Sequence, residues 1–340
     1  MESQASSDLS WPRVSVVVPT LNEAKNLPYV FSRLPADIHE VIVVDGHSVD
    51  DTIAVARQLW PDVVVVQQTR RGKGNALACG FEAATGEVIA MVDADGSADP
   101  SEIPKFVNAL LSGADFAKGT RFAAGGGSSD ITRLRRVGNR LLGAVVNLCH
   151  GTHYSDLCYG FNVFWQKHVP VLGLDITSPP SRKEDGMLWG DGFEIETLIH
   201  MRVADAGLRV AEVPSFEHPR IHGVSNLDAF SDGLRVLTTI VVEHRRARLR
   251  QRSRRVSGLR PAVVLARGLI QMEAAFVRVL YVVLSIEHGR LCIHRARSPI
   301  IWSRTASRIA LTFGRRHRRT PALLAATELP AHVIDKSSID

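Results

Sequence analysis

The chain has 340 residues, 45% of them hydrophobic, and a formal net charge of +6, which allows a substantial buried core and favours anionic partners. Its four cysteines, Cys79, Cys149, Cys158 and Cys292, form no CxxC pair, which argues against a zinc site or a disulfide framework and fits a reducing cytosol. The opening MESQASSDLSWP has neither a basic start nor an apolar stretch, and no run of about 18 uncharged apolar residues occurs, so neither a signal peptide nor a spanning helix is expected.

Residues 14–18 are a β-branched run that stops at Pro19; TLNE and an apolar-periodic stretch to about residue 34 follow, predicting strand, turn and helix. The plan repeats with a strand over 40–44, a polar turn from Asp45 and a helix over 52–59. A third strand covers 63–66, Gly72-Lys-Gly-Asn75 opens a helix to about residue 84, and a strand begins at Val88. This alternation predicts an α/β fold with a mostly parallel, doubly wound sheet.

The strand from Val88 stops abruptly at Asp93 and Asp95, two carboxylates separated by one small residue. Oxygen ligands of this kind suit Mg²⁺ or Mn²⁺, which take remaining ligands from water and substrate phosphates. The turns at 19–23, 45–50, 72–75 and 93–99 all follow strands or open helices, so a parallel sheet brings them to one edge, where ligands of open α/β sheets bind. Asp45 suits hydrogen bonds from a base or ribose and Lys73 suits a phosphate, against the plainer reading of each as a helix cap or solvated turn. The turn Pro19-Thr-Leu-Asn-Glu23 has no glycine, which excludes a dinucleotide fingerprint, and Gly72-Lys-Gly lacks the offsets of a Walker A loop.

Farther along, AAGGGSS after Phe122 reads as a mobile lid or a surface loop. Residues 131–149 read as an amphipathic helix whose Arg133, Arg135, Arg136 and Arg140 face either a membrane surface or solvent. Residues 173–190 read as a loop, and Asp191-Gly-Phe-Glu194 starts a helix to about residue 206. A helix over 228–243 leads into seven arginines between 245 and 255, a density suited to solvent or an anionic leaflet. Residues 263–286 read as an interfacial or docking helix, with ordinary packing as the alternative, and the tail after 298 as loosely ordered.

The segments VSVVVPTLNEAKNL, VIVVDGHSVDDT, GKGNAL, VIAMVDADGSADP and DFAKGTRF, in this order, resemble the family-two glycosyltransferases of the GT-A fold. SDLCYGFNVF and EVPSFEHPRIHGVSNL are similar to segments of dolichyl-phosphate mannose synthase and the bacterial polyprenyl-phosphate sugar transferases. The resemblance covers about residues 13–245. It implies that Pro19, Glu23 and Asp45 hold the nucleotide, that Asp93 and Asp95 reach the metal and diphosphate with Asp93 close to the ribose, and that Arg121, Arg136 and Arg220 hold a lipid phosphate. A guanidinium forks onto phosphate oxygens and keeps its charge when partly buried. The chain departs from the family's common DDGS turn at Gly46 and His47, and Ser97-Ala98 replaces its usual Gln or Ser followed by His.

The expected activity is therefore a metal-dependent, inverting transfer of one sugar from a nucleotide diphosphate sugar to a polyprenyl phosphate at the cytosolic membrane face. Asp95 is the expected essential carboxylate. A soluble hydroxyl acceptor with Asp191 as general base is the first alternative, and a non-catalytic scaffold of the same fold is the second. Nucleic acid is not an expected partner, because the basic tract lacks interleaved aromatics. The expected organisation is a disordered leader over 1–12, a catalytic domain over 13–245, and a basic linker, amphipathic helix and tail over 246–340.

Overall fold

The structure is a computed structural model that describes residues 11–180, 187–223 and 231–255. The chain divides into two compact units, 1–261 and 262–340, and every described residue belongs to the first. The expected leader up to residue 10, the helix over 263–286 and the tail lie outside the described residues.

Seven strands form one sheet: β1 (Val14–Thr20), β2 (Glu40–Asp45), β3 (Val64–Gln67), β4 (Val88–Met91), β5 (Phe116–Thr120), β7 (Asn162–Trp165) and β8 (Val210–Pro214), in the order β3-β2-β1-β4-β7-β5-β8. All neighbours pair in parallel except those of β7, which runs antiparallel to both β4 and β5. A small second sheet pairs β6 (Gly127–Ser128) with β9 (Phe216–Glu217).

The β-branched run of β1 is buried on both faces, and strand alternation sends its side chains into two cores. Val14, Val16 and Val18 meet Leu27 and Val30 of α1 (Leu27–Phe31), Ala56 of α2 (Thr52–Leu59) and Phe106 of α4 (Ile103–Leu111). Val17, Ile42 and Val44 meet Leu77 and Phe81 of α3 (Lys73–Ala83) and Leu198 of α7 (Ile195–Asp205). A third cluster joins Val146 of α5 (Arg133–His150) to Met201 and to Val236 and Ile240 of α8 (Ser231–Arg255). One short helix, α6 (Val169–Leu172), follows β7.

The expected strands and helices up to β4 are present, with one shorter than its pattern. The first helix begins only at Leu27, because Asn22 has φ 59° and Glu23 N–H donates to Thr52 Oγ1 at 2.9 Å instead of entering a helix. The expected domain limit at residue 245 falls within α8, which continues to Arg255.

Candidate active site

The C-terminal ends of β1, β2 and β4 carry the turns singled out in the sequence. Thr20 and Asp45 are register partners at the ends of adjacent strands. The following loops are bonded to one another: Asn22 N–H donates to Ser48 Oγ at 2.9 Å, and Val49 N–H donates to Asn22 Oδ1 at 2.8 Å. Pro19 lies within β1, one residue before this joint. Asp45 is buried, and its carboxylate accepts from the amides of His47 and Ser48, both at 3.1 Å, and from Gln67 Nε2 at 3.0 Å. His47 has φ 65°, the left-handed region that glycine occupies most easily, at the position where the resembled family has glycine.

Past β4, both carboxylates of the paired turn meet resident cations. Lys73 Nζ, from the start of α3, lies 2.7 Å from Asp93 and 2.7 Å from Glu196 of α7. Burial opposes the Lys73 ammonium, but these two carboxylates outweigh it and raise its pKa above the ordinary lysine value. Glu196 is itself pushed up by burial, with Lys73 offsetting part of the effect. Arg220 donates from Nη1 to Glu23 Oε1 at 3.0 Å, and its Nε lies 3.5 Å from Asp95 Oδ2. Burial raises the Glu23 pKa, while Asn26 and Arg220 pull against it. The Arg220 Nε is buried and makes no hydrogen bond among the described residues.

Backbone contacts hold Arg220 in place. His218 N–H donates to Ser97 O at 2.8 Å and Ile221 N–H to Asp95 O at 3.2 Å, so the segment after β9 runs along the Asp93–Ser97 turn. Asp95 also accepts from Ser97 N–H at 2.9 Å. The structure thus brings Glu23, Lys73, Asp93, Asp95 and Arg220 together from four separated stretches. Sequence reasoning missed Glu196, although an acidic residue inside the apolar run EIETLIH was the available signal.

Two expected site residues are placed differently. Asp191 accepts from Arg70 Nε at 2.8 Å, Arg70 Nη2 at 3.0 Å and Leu188 N–H at 2.7 Å, with both side chains of the ion pair buried. The glycines of Gly72-Lys-Gly74 serve this loop: Gly74 N–H donates to Asp191 O at 2.7 Å, and a Cβ at residue 74 would fall on the Gly190 carbonyl. Arg121 is also buried, bidentate to Asp156 at 2.7 and 2.9 Å and bonded through Nη1 to Glu217 at 3.0 Å. Its side chain is 3% exposed, so it braces the chain that leads to Arg220 instead of facing solvent. Arg136, on α5, is exposed, with its guanidinium 5.9 Å from the Phe122 ring.

The sequence profile of Glycosyl transferase family 2 matches residues 15–170. Glycosyltransferase AglJ of Haloferax volcanii is 32% identical over 223 residues, covering 65% of this chain and 68% of its own. The chain belongs to glycosyl transferase family 2. A dolichol-phosphate mannosyltransferase of Pyrococcus furiosus is 37% identical over 121 residues, 34% of each chain. In fold, this glycosyltransferase resembles glucosyl-3-phosphoglycerate synthase of Mycobacterium tuberculosis, crystallised with Mn²⁺, UDP and glucosyl-3-phosphoglycerate. That match has a TM-score of 0.52 at 23% identity and covers 68% of this chain and 80% of the other. The family membership makes the protein an enzyme, a hexosyltransferase on the GT-A fold. No helix among the described residues of this glycosyltransferase is long and apolar enough to cross a membrane.

Proposed function

We propose that the enzyme transfers one sugar, with inversion, from a nucleotide diphosphate sugar to a polyprenyl phosphate, using Mg²⁺ or Mn²⁺. The observation that carries the choice of acceptor is the Arg70–Asp191 pair. A hydroxyl acceptor needs a general base, and both oxygens of Asp191 are occupied by Arg70 and the Leu188 amide. A phosphate acceptor is already an anion at neutral pH and needs no base.

The donor side is proposed at the edge formed by Pro19, Glu23, Asp45, Lys73 and Asp93. Among the described residues no three His, Cys, Asp or Glu side chains gather closely enough to hold a metal alone. Asp93 and Asp95 nevertheless fit one, because their carboxylates are partly exposed and the diphosphate supplies further oxygens. Glu23, Asp93, Asp95 and Glu196 set four carboxylates against the cations Lys73 and Arg220, so the cluster has negative charge left to offer a divalent ion. Bound there, the ion supplies charge neutralisation for the departing diphosphate.

An oxygen of the acceptor phosphate attacks the anomeric carbon from the face opposite the diphosphate, and the bond from that carbon to the diphosphate oxygen breaks. No proton is transferred. Lys73 meets the donor phosphates, while Arg220 and the exposed Arg136 orient the acceptor phosphate. Arg121 acts at one remove, through Glu217 and the segment that carries Arg220.

A second reading, transfer to a soluble hydroxyl, is favoured by one feature: on the same loop as Asp191, Glu194 Oε2 is buried with no hydrogen-bond partner among the described residues. One experiment separates the two. Purified protein and Mn²⁺ are incubated with a panel of nucleotide sugars, with and without a short-chain polyprenyl phosphate, while nucleotide diphosphate release and lipid-linked sugar are measured. Lipid-dependent release with a phosphate-linked glycoside supports the first reading, and lipid-independent release with a soluble glycoside supports the second.

A further inference from the structure

Helix α5 starts at Thr132, whose hydroxyl accepts from Arg135 N–H, and ends at Gly151 in the left-handed region. It packs on the domain through Asn139, Gly143 and Val146, with Leu142 and Val145 partly buried against the same cluster. Four other large apolar residues turn away from the domain. Leu134, Val137, Leu141 and Leu148 are exposed, Leu148 by 87%, and exposed Ala144 continues their spacing of three and four residues. At 3.6 residues per turn these five fall on one stripe about 80° wide, turned away from Asn139, Gly143 and Val146 and bordered on one side by the partly buried Val145 and Leu142.

A second row runs beside the first. Arg133, Arg136 and Arg140 are exposed, each one residue before a member of the stripe. None of the three has an ion-pair partner among the described residues, while Arg136 and Arg140 both lie 5.9 Å from the Phe122 ring. The helix contains no Asp or Glu, so a second copy of α5 would offer this row no counter-charge.

We propose that this face of α5 is the docking surface for an anionic lipid bilayer. Leu134, Val137, Leu141 and Leu148 enter the boundary between headgroups and acyl chains, and the arginine row meets lipid phosphates alongside. The purpose of such docking rests on the lipid-phosphate acceptor reading: it would bring Arg136 to the headgroup layer where a polyprenyl phosphate presents its charge. The docking itself is measured without any turnover.

Full-length protein is floated with phosphatidylcholine vesicles containing about one third phosphatidylglycerol, and with phosphatidylcholine alone. The expected result is salt-sensitive binding to the anionic vesicles. The double variants Leu134→Ser/Leu141→Ser and Arg133→Gln/Arg140→Gln should each lower the bound fraction about tenfold, with melting temperature and oligomeric state unchanged. Unchanged binding of both variants overturns the proposal and leaves attachment to another part of the chain. A leucine variant that dissociates an oligomer in vesicle-free solution overturns it in favour of a second copy. A marked fall in its melting temperature overturns it in favour of a covering segment of the same chain. Failure of the acceptor reading is separately visible as absence of lipid-linked product from the parent protein with a detergent-solubilised acceptor, whatever the vesicles bind.

Discussion

Lys73 is ion-paired with Asp93 at 2.7 Å, so the first carboxylate of the Asp-Ala-Asp turn is held by a lysine from a different strand-helix unit. The same ammonium neutralises Glu196, which is 6% exposed in its side chain. Lys73→Met should therefore lower stability as well as donor binding. Removing one partner of a buried pair costs about 3–5 kcal/mol, and the partial exposure of Asp93 brings the expectation to about 2 kcal/mol. Urea unfolding measures the loss, and Glu196→Gln in the Lys73→Met background should recover part of it. A loss below about 0.5 kcal/mol would mean that the three groups are not coupled.

Asp95 is the opposite case, a carboxylate whose removal should cost function and little stability. It is partly exposed, and Arg220 keeps Glu23 as a partner when it is gone. Asp95→Ala should fold normally and lose about a hundredfold or more in turnover. The rise in melting temperature that a nucleoside diphosphate with Mn²⁺ gives the parent should disappear. Near-normal turnover in the folded variant would remove Asp95 from the reaction.

The strand-turn pattern made much of this edge legible. Apolar runs that lead into Pro19, Asp45 and Asp93 have one arrangement in a parallel sheet, and that arrangement gathers their turns. The pairing of charges was not legible, because it joins residues far apart in the chain: Lys73 to Glu196, Arg70 to Asp191, Arg121 to Asp156 and Glu217. An arginine that will grip a phosphate and one that will brace a buried carboxylate look alike in a sequence, and only the partner separates them. The antiparallel β7 was equally hidden, since four residues, Asn162–Trp165, carry too little periodicity to declare a strand.

Arg121 tests that distinction. Asp156 is fully buried, and Glu217 nearly so. Arg121→Met leaves both without their guanidinium and should cost about 3–5 kcal/mol. The acceptor KM of the protein that remains folded should stay close to that of the parent. A large rise in acceptor KM at unchanged stability would instead place Arg121 at the acceptor phosphate.

Asp99, at the far end of the 93–99 turn, predicts a pH effect on stability. Burial works against its carboxylate, but the hydrogen bonds of Arg33 and Ser101 win and bring its pKa from 3.8 to about 2. A depressed carboxylate stabilises the fold above its unfolded pKa and loses that contribution as the pH falls through the folded one. Arg33 is more than half exposed, so the contribution is about 1 kcal/mol after solvent screening. Asp99→Asn should be less stable than the parent above about pH 4, and the two thermal unfolding curves should converge as the pH approaches 2. A constant difference across that range would exclude this pair as its source.

Asp191 decides between the two acceptor chemistries. Arg70 is 1% exposed in its side chain and also donates to Ser178 O at 3.0 Å and to the Asp175 carbonyl, so it is fixed in the loop that Asp191 closes. Asp191→Asn should leave a buried guanidinium without its charge partner and cost about 3 kcal/mol or more. Arg70→Met combined with Asp191→Leu should cost less than the two single changes together, because the double variant buries no lone charge. The pH–rate profile of folded Asp191→Asn should keep the parent's shape, since a phosphate acceptor needs no base. If Asp191→Asn is instead as stable as the parent, keeps its donor KM and loses the acidic limb of that profile, Asp191 is removing a proton and the acceptor is a hydroxyl.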